Sequence, residues 1–185
     1  MERGMSMNGE TQVLLGGAGG QGLVLSGVLL AQAALARGYH VAQSQQYGIA
    51  SRGGFSGAGV VISREPVLYP LVTEPSAVVC LSAEALDRYC RGLAPHVPVV
   101  YDCGLGKTPA TGRGRPLPIL QEARTRGLPE SANVMALGAL ARYLPAVDVD
   151  SLAMAVQARF GGQWRQANLL ALRAGWELED CHEYD

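Results

Sequence analysis

Two glycine-rich segments carry the residue types and the spacing needed to bind an anion. The first, Gly17-Ala18-Gly19-Gly20-Gln21-Gly22, fits the pattern G-x-G-x-x-G and stands between a predicted strand and a predicted helix. Glycines let backbone N–H groups approach a phosphate, and the start of a helix adds a partial positive charge of about +0.5. The segment predicts an anion site, and it leaves open the alternative of close strand-to-helix packing without a ligand.

The second segment runs from Tyr47 to Ser56 and places Arg52 beside two glycines. A guanidinium binds a carboxylate or a phosphate through two parallel hydrogen bonds, and adjacent glycines allow another backbone to come close. By itself the segment is equally typical of a turn whose arginine faces solvent or bonds carbonyl oxygens. We predict that both segments serve one anion; the candidate residues are Gly17, Gly19, Gly20, Gln21, Gly22, Tyr47, Arg52, Gly53, Gly54 and Ser56.

The local charge favours a phosphate or a carboxylate over a dinucleotide. No Asp or Glu occurs from Thr11 to Arg64, whereas this stretch contains Arg37, Arg52 and Arg64. A dinucleotide-binding strand–turn–helix needs an acidic residue about 20 positions after the glycines, and none is present here. The whole chain has 15 basic and 16 acidic residues, which gives no reason to expect nucleic acid or an acidic membrane as a partner.

The four cysteines contain no C-x-x-C pair and no run typical of an iron–sulfur site. We therefore expect no metal in this chain, and free reduced thiols in a cytoplasmic protein. Cys103 is interpreted as a buried structural thiol. The longest apolar run, Leu23 to Ala36, is too short and too interrupted to cross a bilayer.

The remaining sequence predicts a single α/β domain over residues 11–185, preceded by a ragged leader, residues 1–10. Strands are predicted at Thr11–Gly16, Tyr39–Gln45, Phe55–Ser63, Ala77–Leu81 and Val97–Tyr101. Helices are predicted at Gln21–Arg37, Ala83–Arg91, Leu120–Arg126, Ser131–Leu144 and Val149–Leu172, the last with a break at Gly161-Gly162. The stretch Asp102–Pro118, rich in glycine and proline, is predicted to be a loop.

Taken with the later segment Asn133-x-x-x-Leu137-Gly138-Ala139-Leu140, the two glycine segments resemble the gamma subunit of 2-oxoacid:ferredoxin oxidoreductases. Members act on pyruvate, 2-oxoglutarate, ketoisovalerate or indolepyruvate. The resemblance implies a three-layer α/β/α domain with a mainly parallel or mixed sheet. It also implies an assembly that decarboxylates a 2-oxo acid on thiamine diphosphate, passes electrons through iron–sulfur clusters to ferredoxin and transfers the acyl group to coenzyme A.

The resemblance also implies a division of labour among subunits. This chain has neither a Gly-Asp-Gly segment nor cluster cysteines, so thiamine diphosphate, Mg²⁺ and the 4Fe-4S clusters are expected in alpha, beta and ferredoxin-like delta partners. No catalytic residue is assigned to this chain. Our preferred interpretation is that Gly19–Gly22 and Arg52 face coenzyme A near a shared active site.

Two other classes of function stay open from the sequence. A purely structural subunit would use the glycine segments only for packing, and a stand-alone α/β protein would bind a nucleotide or phosphate without partners. The isolated chain is expected to form a homodimer in place of its missing partners. Apolar surface left uncovered in the absence of partners favours such self-association.

Overall fold

A computed structural model describes residues 9–48 and 54–181, which form one α/β unit built on six strands. The strands are β1 (Thr11–Ala18), β2 (His40–Tyr47), β3 (Phe55–Ser63), β4 (Ala77–Cys80), β5 (Pro98–Asp102) and β6 (Arg113–Leu117). The helices are α1 (Leu23–Ala36), α2 (Ala83–Tyr89), α3 (Ile119–Thr125), α4 (Ala132–Ala141), α5 (Val149–Arg159) and α6 (Gly162–Glu177). Short 3-10 turns at Cys103–Leu105 and Pro129–Ser131 complete the described elements.

The strands form one mixed sheet in the order β2-β3-β1-β4-β5-β6. Strands β1, β4, β5 and β6 are parallel, whereas β3 runs antiparallel to both β1 and β2. The carboxyl ends of β1, β2, β4 and β5 therefore lie at the same end of the sheet as the start of β3. We call this the loop end, and both glycine segments begin there.

Helices cover both faces of the sheet, which confirms the predicted three-layer arrangement. One face packs against α1, α3 and α4 with α5 and α6 beyond them, and the other packs against α2. All ten residues of α4 are buried, because this helix lies between the sheet and α6. A helix surrounded in this way must be apolar on every side, which explains its sequence, ANVMALGALA.

Two glycines allow α4 and α6 to approach closely. A Cβ at Gly138 would overlap the carbonyl oxygen of Leu172, and a Cβ at Gly175 would overlap that of Met135. The backbones therefore touch at both positions, leaving no room for any side chain. The break predicted at Gly161-Gly162 is confirmed, since α5 ends at Arg159 and α6 begins at Gly162.

The predicted loop from Asp102 to Pro118 is wrong in its second half. Residues 113–117 form β6, which pairs in parallel with β5 so that Tyr101 lies opposite Pro116. The sequence Arg-Gly-Arg-Pro-Leu has neither alternation nor β-branched residues, so only pairing with β5 makes it a strand. Proline is tolerated here because β6 is the edge of the sheet.

The prediction of four free thiols is also wrong, because Cys103 and Cys181 form a disulfide. Cys103 is half-buried at the start of a 3-10 turn, so its interpretation as a buried thiol is corrected as well. The two cysteines are 78 positions apart and meet only because the C-terminal residues return along β6. Cys80 and Cys90 are free and buried.

Candidate functional site

The loop end of the sheet brings the two glycine segments into direct contact. The backbone N–H of Gly19 donates to the carbonyl oxygen of Gly54 at 2.7 Å. Gly48 N–H donates to Phe55 O, also at 2.7 Å, and fixes the two sides of the β2–β3 connection to each other. The structure therefore brings together the two segments that the sequence predicts to serve one anion.

The first segment folds back through its own side chain. Gly20 and Gly22 have φ of 92° and 76°, which favours glycine at both positions. The Gln21 side-chain oxygen accepts from Ala18 N–H at 2.7 Å, and its nitrogen donates to Leu81 O at 3.2 Å. Gln21 thus links the turn after β1 to the residue that follows β4.

The third sequence segment reaches the first through Asn133. Its side-chain nitrogen donates to the carbonyl oxygen of Gly22 at 2.9 Å, and its own carbonyl oxygen accepts from Ser26 Oγ at 3.4 Å. Asn133 is only 4% exposed. A Cβ at Gly22 would lie 2.7 Å from the Asn133 nitrogen, so glycine is required for this contact as well as for the turn.

Several candidate residues lie in strands or point away from the turn. Gly17 and Ser56 pair with each other in β1 and β3, and a Cβ at Gly17 would overlap the Gln21 side chain. Tyr47 is 66% exposed and its hydroxyl donates to Gln45 Oε1 at 2.7 Å. Arg52 and Gly53 lie outside the described residues, so their predicted role stays a prediction.

The two arginines of the acid-free stretch that the structure describes, Arg37 and Arg64, lie away from the loop end. Arg37 follows α1 at the opposite end of the sheet and forms an ion pair with Asp148. Arg64 follows β3, also at that opposite end, and its guanidinium lies 4.1 Å from the centre of the Tyr39 ring. Of the described arginines in this stretch, neither therefore contributes positive charge around the glycines.

A different arginine, which the sequence analysis missed, lies beside the first segment. A cavity of about 310 Å³ opens there. It is lined by Gly20, Gln21, Leu81, Leu120, Arg124, Pro129, Glu130 and Ala132. Arg124 is exposed in the last turn of α3. Nothing local in the sequence links it to the glycines, since α3 reaches them only through its packing beside α4.

An aromatic group supports the second segment from the other face of the sheet. Phe55 and Tyr89 meet edge to face with ring centres 5.5 Å apart, and the Arg88 guanidinium lies 4.4 Å from the centre of the Phe55 ring. The Tyr89 hydroxyl donates to Gln46 Oε1 at 3.2 Å. Burial raises the pKa of Tyr89 above its ordinary value, so this residue is a neutral donor near pH 7.

The free thiols are placed for packing. Cys80 ends β4 and Cys90 follows α2, both within the apolar cluster on the α2 face. The hydrogen bond with Cys90 and burial raise the pKa of the Cys80 thiol.

Within residues 9–48 and 54–181, no three His, Cys, Asp or Glu side chains stand together as a metal site. No helix in the same ranges is long and apolar enough to span a bilayer.

Comparison with known proteins places these features in a family. The family model described as pyruvate ferredoxin/flavodoxin oxidoreductase matches residues 12–178. Ketoisovalerate oxidoreductase subunit VorA of Methanothermobacter thermautotrophicus is 36% identical over 91% of this chain. The chain spans only 36% of the length of VorA. By contrast, it spans 92% of 2-oxoglutarate synthase subunit KorC of Methanocaldococcus jannaschii, at 35% identity.

The fold agrees with a solved relative. The crystal structure of the keto/oxoacid ferredoxin oxidoreductase gamma subunit from Geobacter sulfurreducens matches with a TM-score of 0.81 and 33% identity. The match covers 91% of this chain and 95% of that subunit. The resemblance read from the two glycine segments and the Asn133 segment is thereby confirmed. The chain belongs to the pyruvate ferredoxin/flavodoxin oxidoreductase family and is of the gamma-subunit type.

Proposed function

We propose that this chain is the gamma-type subunit of a multi-subunit enzyme that oxidatively decarboxylates a 2-oxo acid to an acyl-CoA and reduces ferredoxin. Family membership over residues 12–178 supports the reaction class. Thiamine diphosphate, Mg²⁺ and the 4Fe-4S clusters belong, in this proposal, to the alpha, beta and delta partners. The 2-oxo acid is left unassigned, because the two curated relatives carry the names of different substrates.

Exposed apolar side chains support a chain that works among partners. The connection between β3 and β4 exposes Leu68, Tyr69 and Leu71, and Leu68 is 94% exposed. Trp164 on α6 is 52% exposed. Exposed apolar side chains that follow one another closely along the chain, as Leu68, Tyr69 and Leu71 do, are typical of surfaces that another chain covers. We infer that partner subunits cover the β3–β4 connection in the assembled enzyme, and that self-association replaces them in the isolated chain.

The ligand role of the loop end is the second part of the proposal. The hydrogen bond from Gly19 to Gly54 carries it, since this bond joins Gly54 of the second segment to the first segment, which lines a cavity. Backbone N–H groups at the start of α1 and the guanidinium of Arg124 on the cavity wall favour an anion there. Coenzyme A is the favoured ligand, because it brings several phosphates and is a substrate of the proposed reaction.

The first experiment tests the assembly. Mild affinity purification of the chain from its native cells, followed by mass spectrometry, is expected to recover a thiamine-binding chain and a cluster-bearing chain. The purified material is expected to reduce ferredoxin when a 2-oxo acid and coenzyme A are supplied. Recovery of the chain alone and without activity would reject the proposal and favour a stand-alone phosphate-binding protein. We also propose a cytoplasmic location. The support for it is the proposed ferredoxin-reducing activity, because the Cys103–Cys181 disulfide removes the argument from four free thiols.

The second experiment tests the ligand role with two arginines from the same acid-free stretch. Arg52→Ala in the assembled enzyme is expected to raise KM for coenzyme A by about 10- to 100-fold, the loss typical of a charge-assisted hydrogen bond. Arg64→Ala is the control, because Arg64 stacks on Tyr39 at the opposite end of the sheet. Unchanged KM and kcat in Arg52→Ala would leave a purely structural role for the segment.

A further inference from the structure

The Cys103–Cys181 disulfide holds the C-terminal segment, residues 178–181, against the last strand of the sheet. Cys103 follows β5 directly, and Cys181 is the last residue that the structure describes. Both are half-buried, so a small thiol or disulfide in solution can reach them. The other two cysteines, Cys80 and Cys90, are fully buried and are therefore shielded from the same reagents.

Among the residues that the structure describes, this segment makes few non-covalent contacts. Cys181 N–H donates to Pro116 O at 2.7 Å, and Asp180 pairs with Arg115 at 3.1 Å. The Asp180 side chain is 38% exposed, and partly exposed ion pairs contribute little to stability. Arg142 donates to the carbonyl oxygen of Leu178 at 2.6 Å, which anchors only the start of the segment. The disulfide is therefore the main restraint on residues 179–181.

The C-terminal segment covers strand β6 at the edge of the sheet. Strand β6 is the edge of the sheet, and an uncovered edge presents unpaired backbone groups to other chains. A cavity of about 450 Å³ opens at the same place, and Pro116, Asp180 and Cys181 are among the residues that line it. Movement of residues 179–181 would thus expose the β6 backbone and remove part of the wall of this cavity.

We propose that Cys103 and Cys181 form a thiol–disulfide exchange site that fastens residues 179–181 to β6 when oxidised and releases them when reduced. Fastening consumes one low-molecular-mass disulfide. The two cysteines together lose two protons and two electrons and gain one S–S bond, while the external disulfide is cleaved and leaves as two thiols. Release is the reverse reaction with two molecules of the external thiol. No metal or further oxidant is required.

The experiment uses the full chain and the assembled enzyme, equilibrated at a series of ratios of reduced to oxidised glutathione. Alkylation followed by mass spectrometry reports the fraction of the Cys103–Cys181 pair that is oxidised. Hydrogen exchange is then measured in the fully oxidised and fully reduced forms. We expect the amides of Cys181 and of the four β6 residues other than Pro116 to exchange at least about tenfold faster in the reduced form, with strand β4 unchanged.

Cys103→Ser gives a second route to the released state without any redox reagent. It is expected to show the reduced-form exchange pattern at every glutathione ratio. The proposal is overturned if the pair stays reduced even in fully oxidised glutathione. It is equally overturned if oxidation leaves exchange unchanged at Cys181 and at the β6 amides other than Pro116, or slows exchange evenly over the whole chain, which would indicate general stabilisation.

Discussion

The side-chain nitrogen of Asn133 donates a hydrogen bond to the carbonyl oxygen of Gly22 at 2.9 Å. The two residues are 111 positions apart, yet this bond ties the start of α4 to the end of the first glycine segment. The carbonyl of Gly22 also accepts from Ser26 N–H at 3.0 Å, as part of the first turn of α1. Asn133 on α4 therefore fixes the position of the turn formed by the first glycine segment.

Asn133→Ala tests whether this contact supports ligand binding. We expect a loss of about 1–3 kcal/mol in the free energy of unfolding, because a buried hydrogen-bonded group is removed. We also expect KM for coenzyme A to rise in the assembled enzyme. Asn168→Ala is the matched control, since Asn168 is equally buried at 4% exposed and also donates to a backbone carbonyl, that of Trp164 at 2.8 Å. If Asn133→Ala and Asn168→Ala changed KM equally, the contact between Asn133 and Gly22 would have no specific role in binding coenzyme A.

Gln21→Ala tests the bridge between the turn and β4. The variant loses two hydrogen bonds, to Ala18 N–H and Leu81 O, so the turn should loosen and binding of coenzyme A should weaken several-fold. Gln32→Ala, which removes an exposed glutamine from α1, should change neither stability nor KM. Steady-state kinetics of the assembled variants measure the effect. Wild-type KM in Gln21→Ala would show that the bridge is dispensable for the ligand.

Gly175→Ala tests the contact of α4 with α6. The new Cβ would overlap Met135 O, which neither helix can avoid without separating, so we expect destabilisation of about 1–3 kcal/mol or more. Gly161→Ser is the control, because no atom lies within 4 Å of a Cβ there and serine is a good residue at the start of a helix. Urea unfolding of both variants measures the difference. If the two variants had similar free energies of unfolding, α4 and α6 could separate enough to admit the new Cβ without a large loss of stability.

Asp148 gives a prediction about pH. A hydrogen bond from the Ser151 backbone N–H, together with the ion pair to Arg37, lowers the pKa of Asp148. The unfolded state then binds more protons than the folded state in acid, so the stabilisation is present above the ordinary pKa of about 3.9 and is lost as pH falls through the lowered folded value. Asp148→Ala should cost about 1 kcal/mol at pH 7 and less in acid.

Asp148→Asn separates the charge from the cap. Asparagine retains a side-chain oxygen that accepts from Ser151 N–H, so most of the stability at pH 7 should remain. Its stability should lack the acid-dependent component, because the side chain no longer titrates. Unfolding of wild type and both variants from pH 7 to pH 2 tests this. A wild-type curve that parallels that of Asp148→Asn throughout would contradict the assigned cause.

The sequence by itself determined the fold class, most of the elements and the family. Strand β3 occupies the predicted range Phe55–Ser63, and α1 and α2 fall within their predicted ranges, since apolar periodicity and glycine turns are local signals. The glycine segments and the Asn133 segment were also readable from local spacing. The two glycine segments were predicted to serve one anion, but the hydrogen bonds that join Gly19 to Gly54 and Asn133 to Gly22 were not, because local patterns do not specify long-range contacts.

Tertiary structure decided the rest. Strand β6 exists only because β5 offers it an edge, and the disulfide forms only because the C-terminal residues return to that edge. Long-range packing also sends Arg37 and Arg64 away from the glycines and brings Arg124 to them. Charge and cysteine counts along a sequence carry no distances or directions, whereas electrostatic contacts depend on distance and disulfides on both distance and orientation, so these features required the folded chain.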